Sequence, residues 1–357
     1  MPCARRRRSR CGHAGSCRGS RRPWPRSRRA AAVAISPYRH PTRATQPQGP
    51  GATPGPAAYA GGVAGAADAG IGETVATWFA AGHRPLPWRS PGFPAWGVLV
   101  SEFMLQQTPV ARVIPRLEEW LARWPTPAAL AAVPPGEAVR AWDRLGYPRR
   151  ALNLHAASVA ITERHGGEVP ADVDALLALP GVGPYTARAV AAFAYGVRVP
   201  VVDVNVRRVL ARAVRGVGEP GPARTNEELA LMGLLLPADA ERARLANAGM
   251  MELGQTVCTA RAPDCARCPI AGSCAWRAAG YPAYTGPAAP RQKPYAGSDR
   301  EVRGRILREL RASELPVPAE RIAELWPDAV QRDRALAGLL ADGLVERAGA
   351  SYALPGS

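Results

Sequence analysis

Four cysteines fall within 17 residues, as Cys258-x6-Cys265-x2-Cys268-x5-Cys274. Thiolates are soft ligands, and four of them this close can surround one metal centre. Structural zinc usually shows two tight cysteine pairs. Here only Cys265 and Cys268 form one, which favours an iron–sulfur cluster over zinc. The remaining cysteines, Cys3, Cys11 and Cys17, lie near the amino terminus. Clustering of this kind speaks for a metal site in a reducing compartment and against a disulfide framework.

Two carboxylates stand out. Glu102 lies in Ser101-Glu102-Phe103-Met104-Leu105-Gln106-Gln107, where Trp96, Val100, Phe103 and Met104 share one helical face. Glu102 points elsewhere, with Val98, Leu105 and Gln106 one turn away. A carboxylate on such an apolar helix either sits at a solvated edge, the commoner case, or has a raised pKa suited to proton donation. Asp203 stands at a helix start within Val201-Val202-Asp203-Val204-Asn205-Val206-Arg207-Arg208. An N-cap accounts for it; an ionised carboxylate facing a cationic sugar would need the same position. A third motif, Leu179-Pro180-Gly181-Val182-Gly183-Pro184-Tyr185-Thr186-Ala187, reads as a helix–hairpin–helix. Its glycines permit a sharp turn and Pro184 suits a first helical turn. The free amides there would bind a phosphate. A plain glycine-rich connection is the alternative.

The elements that must position these residues are helical. Helical spacing runs through 96–107, 113–123, 151–165, 173–179, 185–195, 204–214 and 226–236, with Pro or Gly between. Ile71, Val75, Trp78 and Phe79 share the first such face. The all-α part therefore spans 71–281, with the helix–hairpin–helix at about 176–195 and the cysteine loop at 258–274. Residues 282–298 read as a Pro/Gly-rich linker. Beyond it, helices at 299–312, 319–325 and 332–342 and strands at 344–347 and 351–354 predict a small winged-helix-like module over 299–357. Ahead of the core, residues 1–70 read as an Arg-rich disordered arm and a linker in which 20 of residues 44–70 are Ala, Gly or Pro.

Charge narrows the reading further. The chain carries 46 Lys+Arg against 29 Asp+Glu, a net +17. Thirteen arginines and no acid lie within residues 1–43, so the remainder has 46 − 13 = 33 bases against 29 acids, or +4. The basicity belongs mostly to the arm and does not by itself make the folded part a nucleic-acid binder. Lys293 is the one lysine, so lysine chemistry is nearly absent. No apolar run is long enough for a membrane span. The arginine-rich start followed by a short apolar stretch closed by Pro37 does not make a secretion signal. A cytoplasmic, nucleoid-associated location follows.

In these motifs together, the chain resembles the MutY-type adenine DNA glycosylases of the endonuclease III superfamily. The likeness runs from about Ile71 to Trp276. It rests on Leu86-Pro87-Trp88-Arg89, residues 101–108, Arg144-Leu145-Gly146-Tyr147, residues 179–187, residues 202–209, Met251-Glu252-Leu253-Gly254 and the four cysteines in order. The resemblance implies a two-lobed helical fold, one 4Fe-4S cluster on Cys258, Cys265, Cys268 and Cys274, and double-stranded DNA carrying an adenine mispair as partner of a monomer. It implies Glu102 as the acid that protonates adenine and Asp203 as the group stabilising the sugar cation. Arg84, Leu86, Trp88, Tyr185 and Glu252 would surround the extruded base. Gln106, Gln107, Tyr147, Gly181, Val182 and Gly183 would face DNA, and Arg261 and Arg267 would touch phosphates. Family members that also cleave the strand carry lysine where this chain has Tyr185, which implies base removal alone.

The chain departs from the family in three places. Pro148 replaces a second tyrosine, Ala248 replaces a glutamine, and the 73 residues from 285 onward are too few for the MutT-like domain that helps read 8-oxoguanine. A mismatch thymine or uracil glycosylase of the same superfamily, and a non-enzymatic iron–sulfur regulator of DNA, are the competing readings.

Overall fold

Helix starts in this chain are set by proline and by short polar side chains. Pro127, Pro135 and Pro184 each open a helix, where a missing N–H costs nothing. Thr126, Asp172, Asp203, Asp239 and Asp328 each cap one by accepting from a backbone N–H of the first turn. The computed structural model describes residues 70–287 and 294–356. The arm and linker expected over residues 1–70 lie outside the described residues up to residue 69, as does Lys293.

The helices are α1 (Ile71–Ala81), α2 (Ala95–Leu105), α3 (Val110–Arg123), α4 (Pro127–Ala131), α5 (Pro135–Trp142), α6 (Arg149–Arg164), α7 (Val173–Leu177), α8 (Pro184–Tyr195), α9 (Val204–Ala213), α10 (Thr225–Leu235), α11 (Ala240–Thr256) and α12 (Ala275–Ala278). They build two apolar cores. One gathers α2 to α8 around Phe103, Trp120, Trp142 and Leu154. The other joins α1 to α9, α10 and α11 through Ile71, Val75, Leu210, Met232 and Met250. The chain thus starts in the second lobe, builds the first, and returns. Helix α2 is buried from Trp96 to Met104, so every side of it meets protein.

Residues 299–356 follow the order α13 (Asp299–Ala312), β1 (Val317–Pro318), α14 (Ala319–Glu324), α15 (Ala329–Ala341), β2 (Glu346–Ala348), β3 (Ser351–Ala353). The three strands form an antiparallel sheet in the order β1-β3-β2, with Tyr352 facing Val317 on one side and Arg347 on the other. The module's apolar side (Ile306, Leu310, Leu339, Leu354) joins the first core. The fold class read from sequence holds: helical throughout, with one small sheet. Five elements were not anticipated: α4, α5, the 17-residue α11, the short α12 and the two-residue β1. Strand β2 begins at Glu346, because Leu344 and Val345 turn inward and are buried.

Candidate active site

Glu102 sits on the buried helix α2 with 5% of its surface exposed. The solvated edge is therefore excluded. The Tyr185 hydroxyl, from the start of α8, donates a hydrogen bond to its carboxylate. Burial, the largest influence, pushes Glu102 up to about 7; the tyrosine bond opposes this, and the charge of Asp203 adds to it. The same surroundings push the half-buried Tyr185 well above the usual phenol range, so it stays a donor.

Asp203 comes from the other lobe as the N-cap of α9. One carboxylate oxygen accepts from the N–H groups of Asn205 (2.9 Å) and Val206 (2.7 Å), the other from the Asn205 side-chain amide (2.8 Å). Burial raises its pKa while these three donors favour the charged form. Two carboxylates near each other thus differ in kind: one inclined to hold a proton, one clothed in donors that suit an anion.

Glu252 projects from α11 and is buried. Arg84 grips it with two bonds, Nε to Oε1 at 2.7 Å and Nη2 to Oε2 at 2.6 Å, and Arg89 adds a third at 2.9 Å. Burial alone would push Glu252 up, but the two guanidinium groups hold it at about 2. Leu86 is buried and Trp88 half-buried in the same segment, whose short 3-10 turn Pro87–Arg89 brings Arg89 back over Phe79.

On the side expected to face DNA, Tyr147 is 47% exposed and Gln107 is exposed; both lie in the left-handed backbone region, at φ 48 and 54. Gln106 is half-buried, its amide 3.5 Å from the Thr186 hydroxyl. In the hairpin, Gly181 has φ +74, and a Cβ there would lie 2.5 Å from that of Asn153, so only glycine fits. Gly183 opens α8 with no side-chain cap. The Val182 side chain is buried, so this residue offers only its backbone outward.

The cysteines are half-buried, unbridged, and line a single cavity next to Val209 and Arg212. Among the described residues no three His, Cys, Asp or Glu side chains are gathered as one ion would require. Four free thiols lining one cavity in the order Cys-x6-Cys-x2-Cys-x5-Cys fit a 4Fe-4S cluster. Arg212 donates to Cys258 Sγ (3.4 Å) and to the carbonyls of Thr259 (2.7 Å) and Ala260 (3.1 Å), fastening α9 to the cysteine loop. Arg261 and Arg267 are exposed in that loop.

Four residues of this neighbourhood were not singled out from sequence. Arg89 was quoted in its motif without a role. Asn205 and Arg208 lie in the quoted Asp203 segment: Arg208 donates to Asn205 Oδ1 (2.8 Å), to the Gly254 carbonyl (2.6 Å) and to the Cys258 carbonyl (2.8 Å). A relay of donors therefore links the cysteine loop to Asp203. Arg150 is buried and binds the carbonyls of Phe103 (2.8 Å), Met104 (3.1 Å), Gln106 (2.6 Å) and Gly146 (2.9 Å), closing the end of α2. Carbonyls left without intrahelical partners at a helix end are what such an arginine satisfies.

Residues 100–232 match the HhH-GPD superfamily of base excision DNA repair proteins, and residues 258–274 match the iron–sulfur binding domain of endonuclease III. The chain is 54% identical over 282 residues to an adenine DNA glycosylase of Mycolicibacterium smegmatis, covering 78% of this chain and 94% of that one. It is 52% identical to one of Mycobacterium tuberculosis, covering 78% and 91%. A solved structure of a trapped endonuclease III–DNA covalent intermediate with an estranged adenine superposes with a TM-score of 0.50 at 26% identity, over 58% of this chain and 93% of that one.

Proposed function

The chain belongs to the adenine DNA glycosylases of the HhH-GPD base excision repair superfamily, and from that premise we propose that it hydrolyses the N-glycosidic bond of adenine mispaired with 8-oxoguanine or guanine in duplex DNA. The observation that carries the reading is the pair Glu102 and Asp203, brought together from two lobes and both raised by burial, Glu102 to about 7 and Asp203 against three donors that favour its charged form. The reacting atoms of a base are unreachable inside the stack, so the adenine is extruded first, which is easiest at a mispair. Arg84, Leu86, Trp88, Tyr185 and Glu252 receive it. Gln106, Gln107 and Tyr147 occupy the gap, and the backbone at Gly181, Val182 and Gly183 grips a phosphate.

Glu102 then gives its proton to the base, and the glycosidic electron pair leaves with the adenine. Asp203, held in place by Asn205 and Val206, stabilises the positive sugar. A water gives its hydroxyl to C1′ and its proton to Glu102, which resets the acid. The 4Fe-4S cluster, when bound, cross-links the 258–274 loop from which Arg261 and Arg267 reach phosphates. Residues 71–281 are the catalytic unit and 299–357 an accessory module of a monomeric protein. None of the described helices is long and apolar enough to cross a membrane; we place the protein in the cytoplasm with the nucleoid.

Tyr185 has no amine, so the strand is not cut: a lyase needs a Schiff base with the opened sugar. The test is single-turnover excision on duplexes pairing A, T or U with each opposite base, with borohydride trapping alongside. Excision confined to adenine, abolished by Glu102→Gln with DNA binding retained, is the expected result. Equal release of thymine, or an efficient trapped adduct, would overturn it.

A further inference from the structure

The turn from α5 into α6 has an unfavourable backbone. Asp143 and Tyr147 both lie at positive φ, 44 and 48, with Gly146 between them at 83. Non-glycine residues persist there only where their surroundings over-determine them. Four arginines surround this turn. Arg116 Nη2 donates to the Asp143 carboxylate at 2.6 Å, Arg112 to the Arg144 carbonyl, and Arg150 to the Gly146 carbonyl at 2.9 Å. Those three come from the catalytic core itself.

The fourth does not. Arg311, in the last turn of α13, reaches out of the C-terminal module to donate Nη1 to the Asp143 carbonyl at 2.6 Å and Nε to the Val139 carbonyl at 2.9 Å. Arg140 on α5 answers by donating to the carbonyls of Ser313 (2.9 Å) and Arg311. Two further ties flank the turn: Arg149 pairs with Asp342 at 3.3 Å, and the Gly136 N–H donates to the Pro355 carbonyl at 2.8 Å.

The module lacks the charge of a phosphate-gripping domain. Residues 299–356 hold nine arginines against ten acids. On α15, which would be the reading helix of a winged helix, Arg334 is paired with Asp299 at 2.8 Å and Arg332 with Asp333 at 3.0 Å. A backbone-binding surface would instead leave a basic face open.

We propose that the C-terminal module is a brace for the turn that presents Tyr147, and that Arg311 is the positioning residue through which it acts. This rests on the reading of Tyr147 as the residue that enters the DNA stack. Arg311 fixes Asp143, the first strained residue of the turn. Arg150 fixes Gly146 and Tyr147, the last. A turn clamped at both ends holds the exposed tyrosine ring in one attitude. Released at Asp143, it relaxes toward ordinary backbone angles and the ring no longer meets the opened base pair.

The test is a double-mutant cycle on the full-length, cluster-loaded chain with a duplex pairing adenine with 8-oxoguanine, a 2-aminopurine standing beside the 8-oxoguanine. Tyr147→Ala is expected to slow single-turnover excision about tenfold or more and to diminish the 2-aminopurine fluorescence change. Arg311→Ala is expected to do both in the same direction, and the double variant to be no slower than Tyr147→Ala alone, since coupled residues are not additive. Arg311→Lys, which keeps the stem and can satisfy one carbonyl, should fall between Arg311→Ala and the parent. It carries the cycle if Arg311→Ala does not fold. Losses that multiply in the double variant, or full fluorescence change in both Arg311 variants, would overturn the brace. Full activity in Tyr147→Ala would overturn the reading of Tyr147 and the brace with it, while adenine excision itself would stand.

Discussion

Glu102 and Glu252 are both buried carboxylates, and their neighbours drive them in opposite directions. Glu102 meets apolar side chains, one phenol and a like charge, so it holds its proton up to about 7. Single-turnover adenine excision should therefore decline as pH rises through about 7, and a rate flat to pH 9 would contradict the role. The linkage is also a stability statement. Because the folded-state value lies above the ordinary 4.5, the folded chain binds the proton more tightly than the unfolded one. Stability is whole below about 4.5 and drains away as pH rises to about 7, by roughly 3 kcal/mol. Glu102→Gln should accordingly raise the melting temperature at pH 8 and leave it unchanged at pH 4. Glu252, held at about 2 by Arg84 and Arg89, stays charged across this range. Glu252→Gln leaves two guanidinium groups around a neutral amide and should cost about 3 kcal/mol of stability, read by denaturant unfolding.

At the scale of elements, α11 packs tightly against α9 beside Asp203. A Cβ on Gly254 would stand 2.8 Å from both the Cβ and the carbonyl oxygen of Asn205. Gly254→Ala should push Asn205 off Asp203 and slow excision by about tenfold or more, while iron content measured by visible absorbance is retained. Normal rates in that variant would show that Asp203 does not depend on Asn205. Much of this arrangement could be read from local pattern. The hairpin announces itself by Pro-Gly-x-Gly-Pro, and Asp203 by an aspartate ahead of a helical run. Helix α11 escaped because its buried face carries Asn247, Glu252 and two glycines in place of an apolar stripe. The raised pKa of Glu102 could not be read from α2 alone, since it comes from burial that arises only when other helices close around α2, and from the charge of Asp203, 101 positions later. Arg150 was equally hidden: its acceptors are backbone carbonyls that gather only when α2, the turn and α6 meet.

For the whole molecule, the sequence separates charge from chemistry. Thirteen of its arginines precede residue 44, and every residue of the candidate site follows residue 83. Deleting residues 1–69 should leave the single-turnover rate unchanged, while binding to undamaged duplex weakens and its salt dependence becomes shallower. A slowed chemical step in a soluble, iron-loaded truncation would contradict this separation. The order of the two lobes along the chain carries a different consequence. Helix α1 packs with α9 to α11, and Arg242 on α11 reaches Glu73 on α1 across 169 positions. During synthesis α1 emerges first and waits without its partners while the middle lobe forms from contacts nearer in sequence. Long-range closure of this kind is slow and exposes apolar surface meanwhile. The lobe that supplies Asp203 and the cysteines is thus begun before α2 to α8 and closed after them, so a chain halted before α11 would hold Asp203 on an α9 that lacks the helix packed against it.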